Sequence, residues 1–217
     1  MRLKWVLIGF LVPLTIAGGI WYKRETPKPA GTLSSGVTVG THKLAWENIV
    51  EGAKQQARDG AAYDASYVRI AYPNGDLPIA QGACTDVVIR ALRHAGYDLQ
   101  QLIHEDMRAR FSEYPRRGLT TDSNIDHRRI PNQIAYFKKY GQSLTKQVNR
   151  NTLAEWQPGD IVYWNAYGRD HTGVVSDSVD PDGKPMVVHN IAGCTEEPCL
   201  TRWPIVGHYR FPRDLRD

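Results

Sequence analysis

A chain of 217 residues with 41% hydrophobic and 23% charged content has an ordinary globular composition and material for one sizeable core. The net charge of +4 is carried by the first 28 residues, where five basic side chains oppose Glu25, while residues 29–217 hold 22 Lys+Arg against 22 Asp+Glu. A nucleic-acid binder carries a basic footprint on its folded part, so a nucleic-acid partner is excluded.

Arg2 and Lys4 precede an uncharged, largely apolar run of 18 residues, Trp5–Tyr22, closed by Lys23 and Arg24. That length is at the short end for a membrane span, and Trp5, Trp21 and Tyr22 stand where interfacial aromatics would. Residues 1–24 therefore read as an N-terminal membrane anchor. A cleaved signal peptide, cut near Thr15-Ile16-Ala17, is the competing reading. Either way the body is expected in the cell envelope, on the periplasmic side, anchored in the inner membrane or secreted after cleavage. Residues 25–41, rich in Pro, Gly and Ser, form a linker, and 42–217 form the domain.

Thr41 caps an expected helix running to about Arg58, with Leu44, Ile49, Val50 and Ala53 as its apolar face. Tyr67–Tyr72 alternates like a strand, and Pro73–Asp76 is a turn. In residues 82–96, Val87, Val88, Ala91, Leu92 and Ala95 recur at helical spacing, and Gly96 ends the helix. Leu99–Met107 reads as helix, and Glu113–Arg129 as a long irregular stretch of the kind often found in functional loops. Pro131 opens a helix through Ile134, Phe137 and Tyr140 that Gly141 stops. Thereafter the pattern is β: a turn at Gln157–Asp160, strands at Ile161–Trp164, Gly173–Ser176 and Pro185–His189, a hairpin turn at Asp180–Gly183, and a last strand at Gly207–Phe211. Helices first and an antiparallel sheet after read as one α+β domain.

Three cysteines are present. Cys194 and Cys199 are spaced to close a small loop disulfide in an oxidising compartment, leaving Cys84 as the odd thiol. Cys84 falls on the first turn of its helix, where unpaired N–H groups and the dipole favour a thiolate; the alternative is a small buried packing residue. A thiol nucleophile needs a base and a group to orient that base. If the strands of His171 and His189 pair through the Asp180–Gly183 hairpin, both imidazoles lie at the same end of adjacent strands, with Cys84, His171 and His189 as nucleophile, base and orienter. Asn190 could share the orienting role, although alternation points it to the other face. Asp126, Arg128 and Arg129 could bind substrate carboxylates, with a structural salt-bridge cluster as the other reading. His104, Glu105, Asp106, His127 and His208 show no metal-ligand spacing, so no metal and no cofactor are expected.

Cys84-Thr-Asp86, Pro158-Gly-Asp-Ile-Val162, His171-Thr-Gly-Val-Val175 and His189 together resemble the NlpC-like cell-wall cysteine peptidases, a bacterial branch of the papain-like superfamily. The stretches around Cys84, His104–Met107, Asn124–Arg129 and His189–Gly193 are similar more closely to a bacterial family known as domain of unknown function 1287, over about residues 42–212. The resemblance implies a papain-like (NlpC-like) α+β fold with the nucleophile helix packed on an antiparallel sheet. It also implies hydrolysis of a peptide or amide bond in peptidoglycan stem peptides, with no cofactor. Tyr72, twelve residues before Cys84, would assist the Cys84 N–H in holding the oxyanion. The NlpC-like pattern has Asp before the cysteine and Ser-Gly after it. Here Ala83 precedes and Thr85-Asp86 follow, which places the Asp86 carboxylate among the expected substrate contacts. Acyl transfer on the same thioester, or a catalytically inert cell-wall binding module, are the alternative functions.

Overall fold

The structure, a computed structural model, describes residues 45–115 and 120–213. The expected membrane segment, the linker and the helix cap at Thr41 lie outside the described residues, among which no helix is long and apolar enough to cross a membrane. Helix α1 (Ala45–Asp59) buries Ile49, Val50 and Ala53 along one stripe, whereas α2 (Cys84–His94) is buried at every position from Cys84 to Leu92, Thr85, Asp86 and Arg90 included, rather than along the single stripe expected. The two are pinned by Gln56, whose buried amide donates to Val87 O at 3.0 Å. Helix α3 (Leu99–Ala109) starts at Asp98, whose carboxylate accepts the Gln100 N–H at 3.1 Å. Helix α4 (Ile130–Tyr140) carries Pro131 in its first turn, where a missing N–H costs nothing.

A short parallel ladder joins β1 (Ala62–Tyr63) to β2 (Gln81–Gly82) just ahead of α2. The strand expected at Tyr67–Tyr72 does not form. That stretch is unpaired, with Tyr67, Val68 and Tyr72 exposed, and side chains satisfy its backbone: Asn124 accepts the Ile70 N–H at 3.0 Å and Gln100 donates to Ala71 O at 2.9 Å. Alternation marks a chain able to pair but supplies no partner strand.

The main sheet has six antiparallel strands: β3 (Gln142–Ser143), β4 (Ile161–Ala166), β5 (Arg169–Val179), β6 (Pro185–Asn190), β7 (Cys194–Glu197) and β8 (Ile205–Arg210), ordered β3-β8-β4-β5-β6-β7. The four expected strands are present, most of them longer than expected; β3 and β7 are additions. Alternation splits the sheet between two cores. Ile161, Tyr163, Val174 and Val188 pack with Cys84, Val88 and Leu92 of α2, whereas Val162, Trp164, Val175 and Val187 pack with Cys199, Leu200 and Trp203 on the other side. The domain is α+β, as expected.

Asp160 is a turn residue turned structural hub. Gly159 takes a φ of +88°, which lets the fully buried Asp160 accept from the Gln157 N–H at 2.9 Å, from Arg210 at 2.7 and 2.9 Å and from His208 Nε2 at 2.9 Å. His208 in turn stacks on Trp156 with ring centres 3.6 Å apart.

The irregular stretch before α4 is likewise structural where it is described. A 3₁₀ turn, Asp126–Arg128, is buried. Arg128 makes a fork to Asp86, Nε to Oδ1 and Nη2 to Oδ2, both at 2.9 Å, and also donates to Ser66 O at 2.8 Å. Asp86 meanwhile caps α2 by accepting the Ala83 N–H at 2.7 Å. Both side chains are nearly fully buried, and these partners take up both Asp86 oxygens and all of the Arg128 nitrogens. This corrects the expectation that Asp86 and Arg128 meet substrate. Removing one member of a buried pair strands the other charge. Asp86→Ala is therefore expected to lower unfolding free energy by about 3–5 kcal/mol in urea titrations, whereas Asp86→Leu combined with Arg128→Met restores most of that loss.

Candidate functional site

The His-x-Gly pattern at residues 171–173 has a steric reason. A Cβ on Gly173 would lie 2.7 Å from Val187 Cγ1, 2.8 Å from Val188 O and 3.1 Å from His189 Cβ. Only glycine allows β5 and β6 to approach there, in the register Gly173↔His189. That register brings the two imidazoles together as expected, with His171 Nε2 2.9 Å from His189 Nδ1. Both rings are buried beside Trp164 and Trp203.

The row does not end at His189. Its Nε2 meets Glu197 Oε1 at 2.6 Å, and Arg202 grips both oxygens of Glu197 at 2.7 and 2.8 Å. The Arg202 guanidinium, with His189, holds the Glu197 carboxyl down at about 2, so it is ionised and can only accept. Burial lowers both imidazoles, His171 to about 4, so both are neutral at pH 7. The proton placement then follows. His189 carries its proton on Nε2 and donates to Glu197. Its Nδ1 lone pair accepts from His171 Nε2–H, and His171 Nδ1 remains the free basic nitrogen.

Cys84 is buried at the start of α2, and its sulfur takes backbone N–H groups from Thr172, Thr85 and its own residue, which favour thiolate. The expectation of a thiolate is nevertheless corrected. Burial outweighs these donors and pushes the thiol up to about 11. A strand N–H lies in the plane of its sheet, so accepting the Thr172 N–H seats the sulfur at backbone level beside His171. Among the described residues, no hydrogen bond joins the Cys84 sulfur to the His171 ring, whose hydrogen-bond partner is His189. The thiol thus packs on the helix side of β5 and the imidazole on the side of Trp164 and Trp203, and the backbone link between them is the N–H of Thr172, the residue after His171.

A cleft of about 430 Å³ opens at this end of the sheet, lined by Tyr63, Ala166, Tyr167, Arg169, Asp170, His171 and Ile191. Tyr63 is held by the β1–β2 ladder and feels both Cys84 and Arg169; its hydroxyl is raised by burial first and Cys84 second. Tyr72 is elsewhere, with its hydroxyl 3.4 Å from Glu105 and its ring edge-on to His104. A larger hollow of about 500 Å³ beside Tyr114 and α4 has neither thiol nor imidazole in its lining.

The remaining expected residues are structural. Asp126 is buried, accepts the Asp122 N–H and pairs with the half-buried Arg129 at 3.3 Å. Asn190 takes no share with His189 in orienting His171. It points to the other face, as alternation demands, and donates to Ala61 O at 3.0 Å and Gly82 O at 2.8 Å. The expected Cys194–Cys199 disulfide is absent: both thiols are free. Cys194 lies in the helix-side core and Cys199 beyond the sheet with Trp164, because a turn closed by Cys199 N–H to Glu197 O at 2.9 Å redirects the chain after β7.

Sequence reasoning missed Glu197, Arg202 and Tyr63. Glu197 sits opposite Val187, diagonal to His189 on the same face, and the signal for it was the doubled Glu196-Glu197 one short hairpin after His189. The depressed imidazoles carry a stability consequence. Unfolded histidines take protons near pH 6.5, folded His171 only near 4, so between these values the unfolded state binds more protons and stability falls as pH falls. His171 alone is expected to remove about 2 kcal/mol between pH 7.5 and 5. Denaturant titrations at pH 7.5 and 5 measure this, and His171→Gln should flatten the slope.

A family model described as "Domain of unknown function (DUF1287)" matches residues 50–211, which include Cys84, His171, His189 and Glu197. A curated relative, "Uncharacterized protein YijF" of Escherichia coli (strain K12), is 48% identical over 167 residues, covering 75% of this chain and 80% of the relative. No solved structure matches. The chain belongs to the DUF1287 family.

Proposed function

We propose that the protein is a cysteine peptidase or amidase of the papain-like, NlpC-like kind that hydrolyses a peptide or amide bond in cell-wall peptides within the envelope. The observation that carries this reading is the hydrogen-bonded row His171–His189–Glu197, which leaves His171 Nδ1 as a free base on the strand whose next residue, Thr172, gives its N–H to a thiol at a helix start. A row of two imidazoles on an ionised carboxylate has no need of such tautomer control in a packing core, but a nucleophilic enzyme requires it.

The resting thiol and imidazole are both neutral, so the thiol proton passes to His171 Nδ1 as the sulfur attacks the scissile carbonyl carbon. In this reading the oxyanion accepts the Cys84 N–H, and Tyr63, whose hydroxyl feels Cys84, takes the role expected of Tyr72. His171 then gives its proton to the leaving amine, and a thioester remains on Cys84. Water attacks that thioester, with His171 again taking the proton; the C–S bond then breaks, His171 returns the proton to the Cys84 sulfur, and the acid product leaves. Arg169 and Asp170 put one charge of each sign on the cleft, which suits a peptide bearing carboxylates and amines. The cell-wall substrate rests on the resemblance to NlpC-like peptidases. One observation favours the second reading, an inert cell-wall binding module: the thiol is held at about 11.

Digestion of purified peptidoglycan separates the two. The wild-type protein is expected to release soluble peptides and Cys84→Ala to release none; equal release by both overturns the mechanism. His189→Ala should lower kcat by about 10²–10⁴ with little change in KM, because it removes control of the base rather than substrate contacts. An added amine that appears in the product would identify acyl transfer.

A further inference from the structure

We propose that His189, Glu197 and Cys199 form a binding site for a borderline-soft divalent cation of the zinc class, whose occupancy reverses the imidazole row. One ligand atom from each residue lies within 4.8 Å of the other two. A nitrogen, a carboxylate oxygen and a sulfur are the donor set that zinc takes, at about 2.0–2.3 Å from the metal. Those bond lengths put tetrahedral ligands about 3–4 Å apart, so closure on the ion asks only for a small side-chain movement.

The fold supplies what such a site requires. Cys199 is fully buried, and the turn from its N–H to Glu197 O holds it beside the carboxylate. The second ring nitrogen of His189 is already occupied by His171, the outer-shell hydrogen bond that orients a metal-bound imidazole. Carboxylate and thiolate together balance the charge of a divalent ion. The side chains of Glu197 and Arg202 are 28% and 37% exposed, which gives the ion a route in once Arg202 swings out to solvent. Water completes the coordination.

Binding at His189 Nε2 rearranges protons without changing their number on the two rings. Nε2 gives up its proton to the metal's place, Nδ1 becomes the N–H that donates to His171 Nε2, and His171 carries its own proton on Nδ1. Cys199 releases one proton to solvent. His171 Nδ1, the base in the unliganded row, then has no lone pair. That this switches catalysis off rests on the hydrolase reading; the site itself does not.

Zinc titration of the full chain bearing Cys84→Ala, in competition with a chromophoric chelator, tests the site without recourse to activity. One zinc per chain is expected, and cobalt in its place should give a near-ultraviolet thiolate charge-transfer band. Glu197→Gln and Cys199→Ala should each weaken zinc binding by more than about 100-fold; if Cys199→Ala fails to fold, Glu197→Gln still decides. Nitrogen-15 NMR should show His189 and His171 both moving from Nε2–H to Nδ1–H. No zinc bound, or binding indifferent to both substitutions, overturns the site, and unchanged tautomers overturn the reversal. With Cys84 present, zinc should suppress peptide release at the same affinity. A protein that binds zinc but releases nothing under any condition defeats the hydrolase reading and leaves the metal site standing.

Discussion

Two hydrogen bonds from one amide tie the imidazole strand to the thiol helix. Asn190 Nδ2 donates to Ala61 O and to Gly82 O, so the end of β6 is tied both to the β1 segment and to the turn that delivers Cys84. Its Oδ1 is buried without a partner, a desolvation cost tolerated at this junction. Cys194 adds a third tie from the next strand, its N–H donating to Ala61 O at 2.9 Å. With the Thr172 N–H on the sulfur itself, these contacts set the thiol's height against the sheet in a way that apolar packing, which is not directional, does not.

Electrostatics around the site divide into two circuits that do not touch. On the helix side, Asp86 and Arg128 neutralise each other and cap α2, which leaves the sulfur with backbone dipoles and little ionic help. On the far side, Arg202 ionises Glu197, and Glu197 dictates the protons of two imidazoles in succession. The thiol is therefore governed by burial and the base by a relay. The neutral resting pair is the outcome of that separation.

How much of this was legible depended on whether the information was local. The α2 stripe, the Pro-Gly-Asp turn and the four longer strands all announce themselves through spacing over a few residues, and the pairing of His171 with His189 follows once the hairpin turn is placed. Asp86 and Arg128 looked available because their partnership spans 42 residues and no periodicity connects them. Glu197 and Cys199 were hidden by a different confusion. Read by spacing alone, the segment from Cys194 to Cys199 looks like a closed loop, whereas it is a strand followed by a turn, and the turn sends its two ends to opposite sides of the sheet.

The sheet that parts Cys199 from Cys84 and Cys194 has a meaning for how the chain matures. All three thiols are buried and none is paired, so the finished domain holds together equally in reducing and oxidising surroundings and asks nothing of a disulfide-forming catalyst. Cross-linking Cys199 to either of the others would trap a chain whose sheet has not yet formed. The hazard of disulfide cross-linking is therefore confined to the interval before folding, and speed of folding, rather than redox chemistry, is what protects the Cys84 thiol from it.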